Sequence, residues 1–136
     1  MKEITLDAVV KNVPELTDFI DRELEAVGCP LRKQMQLDIA VDEIFSNVAY
    51  YAYPSGTGKV TVAFDYEEET RTVILIFRDS GIPYNPMNAK EPDVTLSAEE
   101  RQIGGLGIFM VKKSMDAMIY EYRDGMNILT LRKNIG

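Results

Sequence analysis

The sequence contains no histidine and one cysteine, Cys29, among its 136 residues. The absence of histidine removes Ser-His-Asp and Cys-His triads, histidine metal sites and a phosphohistidine acceptor. Any catalytic base must then be a carboxylate, a lysine, a tyrosine or a water chain. One cysteine excludes an internal disulfide and a cysteine-rich zinc site. It stands in Gly28-Cys29-Pro30, a helix-ending turn, and reads as a buried or idle thiol. Basic residues are also short: 15 Lys and Arg against 22 Asp and Glu leave a net charge of −7. Nonspecific nucleic-acid binding depends on neutralising phosphates, so this balance argues against DNA or RNA as a partner. No basic amphipathic helix points to a membrane surface, and no apolar run approaches the length of a transmembrane helix. The start, Met1-Lys2-Glu3-Ile4-Thr5-Leu6, lacks the apolar stretch of a secretory signal, which makes a cytoplasmic chain the simplest expectation. Apolar residues make up 46% of the chain, which at this length suits one globular domain over 1–136 with a single core.

Periodicity predicts the elements. Ile4 to Leu6 alternate as a short strand. Pro14 sits where a first-turn proline is tolerated, and Leu16, Phe19, Ile20, Leu24 and Val27 form an apolar stripe that Gly28 and Pro30 end. A second helix is expected from about Leu31 to Tyr51, its buried face marked by Leu37, Val41, Ile44 and Val48. The cluster from Pro54 to Gly58 is a turn, after which Val60, Val62, Phe64 and Tyr66 alternate in one strand and Val73 to Phe77 make a second. Asp65 to Thr70 reads as the solvated tip between them. Asn85 to Gln102 is a polar loop with two prolines and no period, long enough to be a lid or a disordered segment. A helix is expected from about Leu106 to Ala117, then a hairpin of Ile119 to Arg123 and Ile128 to Lys133 about Asp124-Gly125. Together these make an α/β (α+β) two-layer sandwich, with helices on one face of a largely antiparallel, mixed sheet.

Three short stretches carry residues suited to chemistry. In Asp42-Glu43-Ile44-Phe45-Ser46-Asn47, Glu43 and Asn47 stand one helical turn apart along the margin of the buried face. Polar residues there commonly form only a solvated edge. As a functional pair, the Asn oxygen suits Mg²⁺ and the carboxylate suits proton abstraction, with Asp42 competing for either role. Arg78-Asp79-Ser80-Gly81 ends an apolar run. Asp79 is either a turn former or a recessed acceptor for an exocyclic amine such as that of adenine, and Gly81 would allow close approach to a flat base. Gly104, Gly105 and Gly107 open an apolar helix, where free N–H groups and the helix dipole favour phosphate. Neither the dinucleotide pattern nor the P-loop pattern occurs.

In this order the three stretches resemble the GHKL ATP-binding superfamily, and within it the small anti-sigma-factor serine/threonine kinases of bacteria. Val41 to Asn47 resembles that family's N box, Asp79-Ser80-Gly81-Ile82-Pro83 its adenine box and Gly105-Leu106-Gly107-Ile108 its phosphate box; Asp124 to Leu131 also has the family's character. The resemblance spans essentially the whole chain and implies the Bergerat fold, ATP and Mg²⁺ as cofactors, and protein kinase activity. It implies Glu43 as general base, Asn47 as Mg²⁺ ligand and Asp79 as partner of the adenine amine. It further implies Gly81 beneath the base, Thr130 as a water-mediated adenine contact, Gly105 and Gly107 (with Gly104 and Leu106 beside them) around the phosphates, and an ATP lid over about 85–104. The partners implied are a sigma factor and a STAS-type anti-anti-sigma protein, with homodimerisation through the sheet face. A nucleotide-binding partner switch with little phosphotransfer is the alternative. Three departures bear on it: Tyr51 stands where relatives often carry His, Ile103 stands at the position of the lid arginine with Arg101 two residues earlier, and Ile82-Pro83 replaces the second glycine of the adenine box. These affect phosphoryl transfer more than ATP binding, because positioning and electrostatics supply most of that catalysis.

Overall fold

Apolar side chains at every second strand position, and at three- and four-residue intervals in the helices, set the architecture. A computed structural model describes residues 1–54, 56–88 and 105–136. It comprises β1 (Lys2–Asp7), α1 (Val13–Ala26), α2 (Leu31–Tyr51), β2 (Lys59–Glu67), β3 (Thr72–Asp79), α3 (Gly105–Ser114), β4 (Ala117–Arg123) and β5 (Met126–Asn134), with short 3-10 turns at Val10–Asn12 and Pro86–Asn88. The strands form one sheet in the order β1-β2-β3-β5-β4, and every pairing in it is antiparallel.

The register aligns Val62, Phe77 and Leu129 in one cross-strand row, and Phe64, Leu75 and Leu131 in the next. These residues are buried with Leu16, Ile20 and Leu24 of α1, Leu37, Val41, Ile44 and Phe45 of α2, and Ile108 and Val111 of α3 in a single core. The helices therefore cover one face of the sheet. On the opposite face, ion pairs Arg78–Glu3 and Arg132–Glu67 each reach across an intervening strand, β2 and β3 respectively.

Element ends follow local chemistry. Gly28, at φ +70°, closes α1: its N–H donates to Glu25 O and that of Cys29 to Leu24 O, two bonds that satisfy terminal carbonyls through a left-handed residue. Asp124 and Gly125, at φ +55° and +77°, make the two-residue turn whose twist matches the flanking strands.

Two expectations shift. β2 continues to Glu67, so Asp65 and Tyr66 pair with Ile74 and Val73 and only residues 68–71 form the tip. α3 ends at Ser114 rather than Ala117, because the buried Lys133 ammonium donates to Ser114 O and Asp116 N–H donates to Arg132 O, starting the β4–β5 ladder. No glycine or proline marks that stop, which depends on the distant Lys133. Most of the expected lid, 89–104, lies outside the described residues, as do Gly104, Arg101 and Ile103.

Candidate functional site

The apolar rows of the sheet give way to polar residues at one end. Leu6 pairs with Val60, Val60 with Asp79, and Asp79 with Asn127, so a carboxylate and an amide occupy the helix-covered face beside aliphatic neighbours. Only 5% of Asp79 and 6% of Asn127 is exposed. Asp79 Oδ1 accepts from Gly81 N–H at 2.9 Å and from Asn127 Nδ2 at 3.0 Å. Both bonds fall on one oxygen, which leaves Oδ2 for the adjoining cavity. Burial pushes the Asp79 carboxyl above its usual range, while the two donors favour the charged form and pull it back.

Asn127 uses its whole amide. Nδ2 also donates to Ile82 O at 2.8 Å, and Oδ1 accepts from Tyr84 N–H at 3.1 Å and from the Tyr120 hydroxyl. Two donors and two acceptor lone pairs are all that an asparagine amide has, so this side chain ties β3, β4, β5 and the 82–84 segment together.

α2 passes over this end of the sheet and presents Asn47, Ile44 and Val48 to the cavity that Asp79 and Asn127 line. Asn47 is 7% exposed, and its amide has no hydrogen-bond partner among the described residues. One turn earlier, Glu43 lies half-buried at the junction with α3. A Cβ on Gly107 would fall 1.8 Å from Glu43 Oε2, so that glycine lets α3 rest on the carboxylate. Burial raises the Glu43 carboxyl above its usual range, and the charge of Asp42 adds to the shift. Asp42 itself is exposed and accepts from Ser46 Oγ at 3.0 Å, which removes it from the cavity. Gly105 is the first residue of α3, followed by Leu106, so the expected phosphate glycines 105 and 107 stand in its first turn.

The sheet register turns one expected contact away, and packing adds a second role at another. Thr130 pairs with Ile76 and Ile119, both on the face away from the helices, so strand alternation turns it from the cavity. Asn127, three residues earlier and on the inner face, occupies the place beside Asp79. The signal was available in the alternation of Asn127, Leu129 and Leu131, a polar residue at the head of an inward apolar series. Gly81 does not line the cavity either. A Cβ there would meet Ala52 O at 2.3 Å, and the next amide, Ile82 N–H, donates to Ala52 O at 2.9 Å. Its bareness serves the docking of the adenine-box segment against the end of α2. Tyr53 supports the same segment: its hydroxyl donates to Lys59 O and accepts from Ser80 N–H, and its ring fills the space that a side chain on Gly58 would need. Long-range packing alone reveals that role.

Helices on one face of this sheet, with a carboxylate and an amide one turn apart above a recessed aspartate, define an ATPase domain of the GHKL class. The family described as histidine kinase-like ATPase domain matches residues 6–133, and the chain belongs to that family. It is similar to the serine/threonine-protein kinase BtrW of Bordetella bronchiseptica, with 31% identity over 100 residues covering 74% of this chain and 70% of the relative. It is also similar to the serine-protein kinase RsbW of Bacillus mycoides, with 25% identity over 97 residues covering 68% of this chain. The chain spans 59% of that relative's length. Among solved structures, the Acinetobacter baumannii histidine kinase AdeS superposes with a TM-score of 0.55 at 11% identity, over all of this chain and 68% of the other, a likeness of fold. Among the described residues no helix is long and apolar enough to cross a membrane.

Proposed function

We propose that this protein is an ATP-dependent serine/threonine protein kinase of the anti-sigma type, which phosphorylates a STAS-type anti-anti-sigma partner and binds a sigma factor in the cytoplasm. The observation that carries the reading is the cavity in which Asn47 of α2 faces Asp79 at the end of β3, with Glu43 one helical turn from Asn47 against Gly107. The kinase names of the relatives supply the reaction class.

In this reading Asp79 Oδ2 accepts a hydrogen bond from the exocyclic amine of adenine, with the carboxylate held in place by Asn127 and Gly81 N–H. The first turn of α3, Gly105 to Gly107, presents free N–H groups toward the phosphates. Asn47 would hold Mg²⁺: its nearly buried, unpartnered amide oxygen is the kind of hard donor the ion takes, and the ion would neutralise phosphate charge. Glu43 takes the proton from the attacking hydroxyl as the γ-phosphoryl group passes to that oxygen and ADP leaves. A carboxylate whose proton affinity is raised by burial is better matched to that task near neutral pH. The outer sheet face, where Ile119 is exposed beside Thr130, is the surface by which two copies would pair.

The test is calorimetry of ADP and Mg-ATP with wild type and Asp79→Asn, followed by transfer from radiolabelled ATP to a STAS-type protein with Glu43→Gln. Asp79→Asn is expected to weaken binding by about 1–3 kcal/mol, the cost of stranding a buried polar partner. Glu43→Gln is expected to retain binding and lose transfer. Absence of nucleotide binding in the wild type refutes the reading. A partner switch that holds nucleotide without transferring phosphate is favoured by Ile103 at the lid-arginine position, and it requires Glu43→Gln to change nothing.

A further inference from the structure

The cavity between Asp79 and Asn47 has a volume of about 30 Å³. Ligand clefts run to roughly 300–1,000 Å³, and a water needs about 10–15 Å³ by the same measure, so the space admits a couple of waters and no purine. Its walls from α2 and the sheet belong to the packed core and cannot recede without unpacking it. Among the described residues, the remaining wall is Tyr84 and Pro86.

That wall is held by identifiable contacts. The Tyr84 ring stacks on Tyr51 with centroids 5.7 Å apart and planes inclined by 28°. Tyr84 N–H donates to Asn127 Oδ1, an atom that also serves the Tyr120 hydroxyl. Asn85 Oδ1 accepts from Met87 N–H at 2.9 Å, which fixes the turn that places Pro86 against the cavity. Tyr51 and Tyr84 are neighbours only in the folded chain: one ends α2 and the other follows the adenine box.

We propose that the Tyr51–Tyr84 stack is an autoinhibitory latch, which keeps Tyr84 and Pro86 in the base cavity until an adenine nucleotide displaces them. This rests on the nucleotide reading of the site and adds a gating step to it. Nucleotide then binds only the fraction of molecules in which the 84–86 segment has swung away, and the apparent affinity falls by that fraction. Loosening the stack raises the open fraction without adding any contact to the nucleotide.

The test is calorimetry and stopped-flow binding of ADP to wild type and Tyr84→Ala, with amide hydrogen exchange on the wild type. Tyr84 is partly exposed, so the substitution opens no cavity inside the core. Tyr84→Ala is expected to bind ADP roughly threefold to tenfold tighter, the range set by one aromatic stack, mainly through a faster association rate. Saturating ADP is expected to increase exchange at the Tyr84 amide of the wild type. Unchanged or weaker binding by Tyr84→Ala overturns the latch, as does a Tyr84 amide that ADP leaves equally or better protected. Binding that the variant does not tighten overturns the latch and leaves the nucleotide site standing, whereas no binding by the wild type overturns the nucleotide reading and the latch with it.

Discussion

Replacing Gly81 with alanine introduces a methyl group where the backbone of α2 already stands. The new Cβ would lie 2.3 Å from Ala52 O, 2.5 Å from Ala52 Cβ and 2.7 Å from Ala52 C, and no flexible side-chain tip is there to give way. The adenine-box segment must lift from the helix end, straining the Ile82 N–H bond to Ala52 O. Overpacking of this kind costs about 1–3 kcal/mol and a lost hydrogen bond about 0.5–1.5 kcal/mol. The reduced freedom of the unfolded chain returns about 0.4–1 kcal/mol. The net is about 2–3 kcal/mol, which for a domain of this size lowers Tm by roughly 6–10 °C. Thermal unfolding followed by circular dichroism measures it, with Gly56→Ala as the control because a Cβ there meets nothing within 4 Å. ADP affinity falls with it, since Gly81 N–H also orients Asp79. Equal Tm values for the two alanine variants would refute the close-approach argument.

Two further outcomes are expected. Thr130→Val leaves ADP affinity unchanged because that side chain faces away from the cavity, whereas Asn127→Ala weakens it by about 1–3 kcal/mol by releasing Asp79; calorimetry that ranked them the other way would refute the assignment of faces. Burial, then the hydrogen bond and charge of Asp21 and the charge of Glu25, push the Asp38 carboxyl up to about 7. The folded protein thus keeps a proton that the unfolded chain releases near its ordinary value of about 3.9. Its contribution to stability is complete below about pH 4 and is lost as pH rises through about 7. Urea unfolding between pH 4 and 8 is expected to show a smaller decline in stability with rising pH for Asp38→Asn than for wild type, and parallel profiles would refute the raised Asp38 value.

The sequence by itself determined much of the fold, because that information is local. The stripe Leu16, Ile20, Leu24 and the row Leu37, Val41, Ile44 announce two helices that bury one side, and the alternation of Val60, Val62 and Phe64 announces a strand. Turn chemistry at Gly28 and at Asp124-Gly125 is legible for the same reason, since a positive φ restricts the residue that adopts it. The spacing of Glu43 and Asn47 likewise follows from helical pitch alone. Tertiary structure decided which distant groups meet. Sheet register put Asn127 rather than Thr130 beside Asp79, packing of the loop on α2 gave Gly81 its purpose, and Lys133 stopped α3 where no local signal existed. A one-residue change of register turns a side chain to the other face, and a contact between residues 51 and 84 depends on how every intervening element packs. Such facts belong to the folded chain, because no local stretch of residues contains both partners.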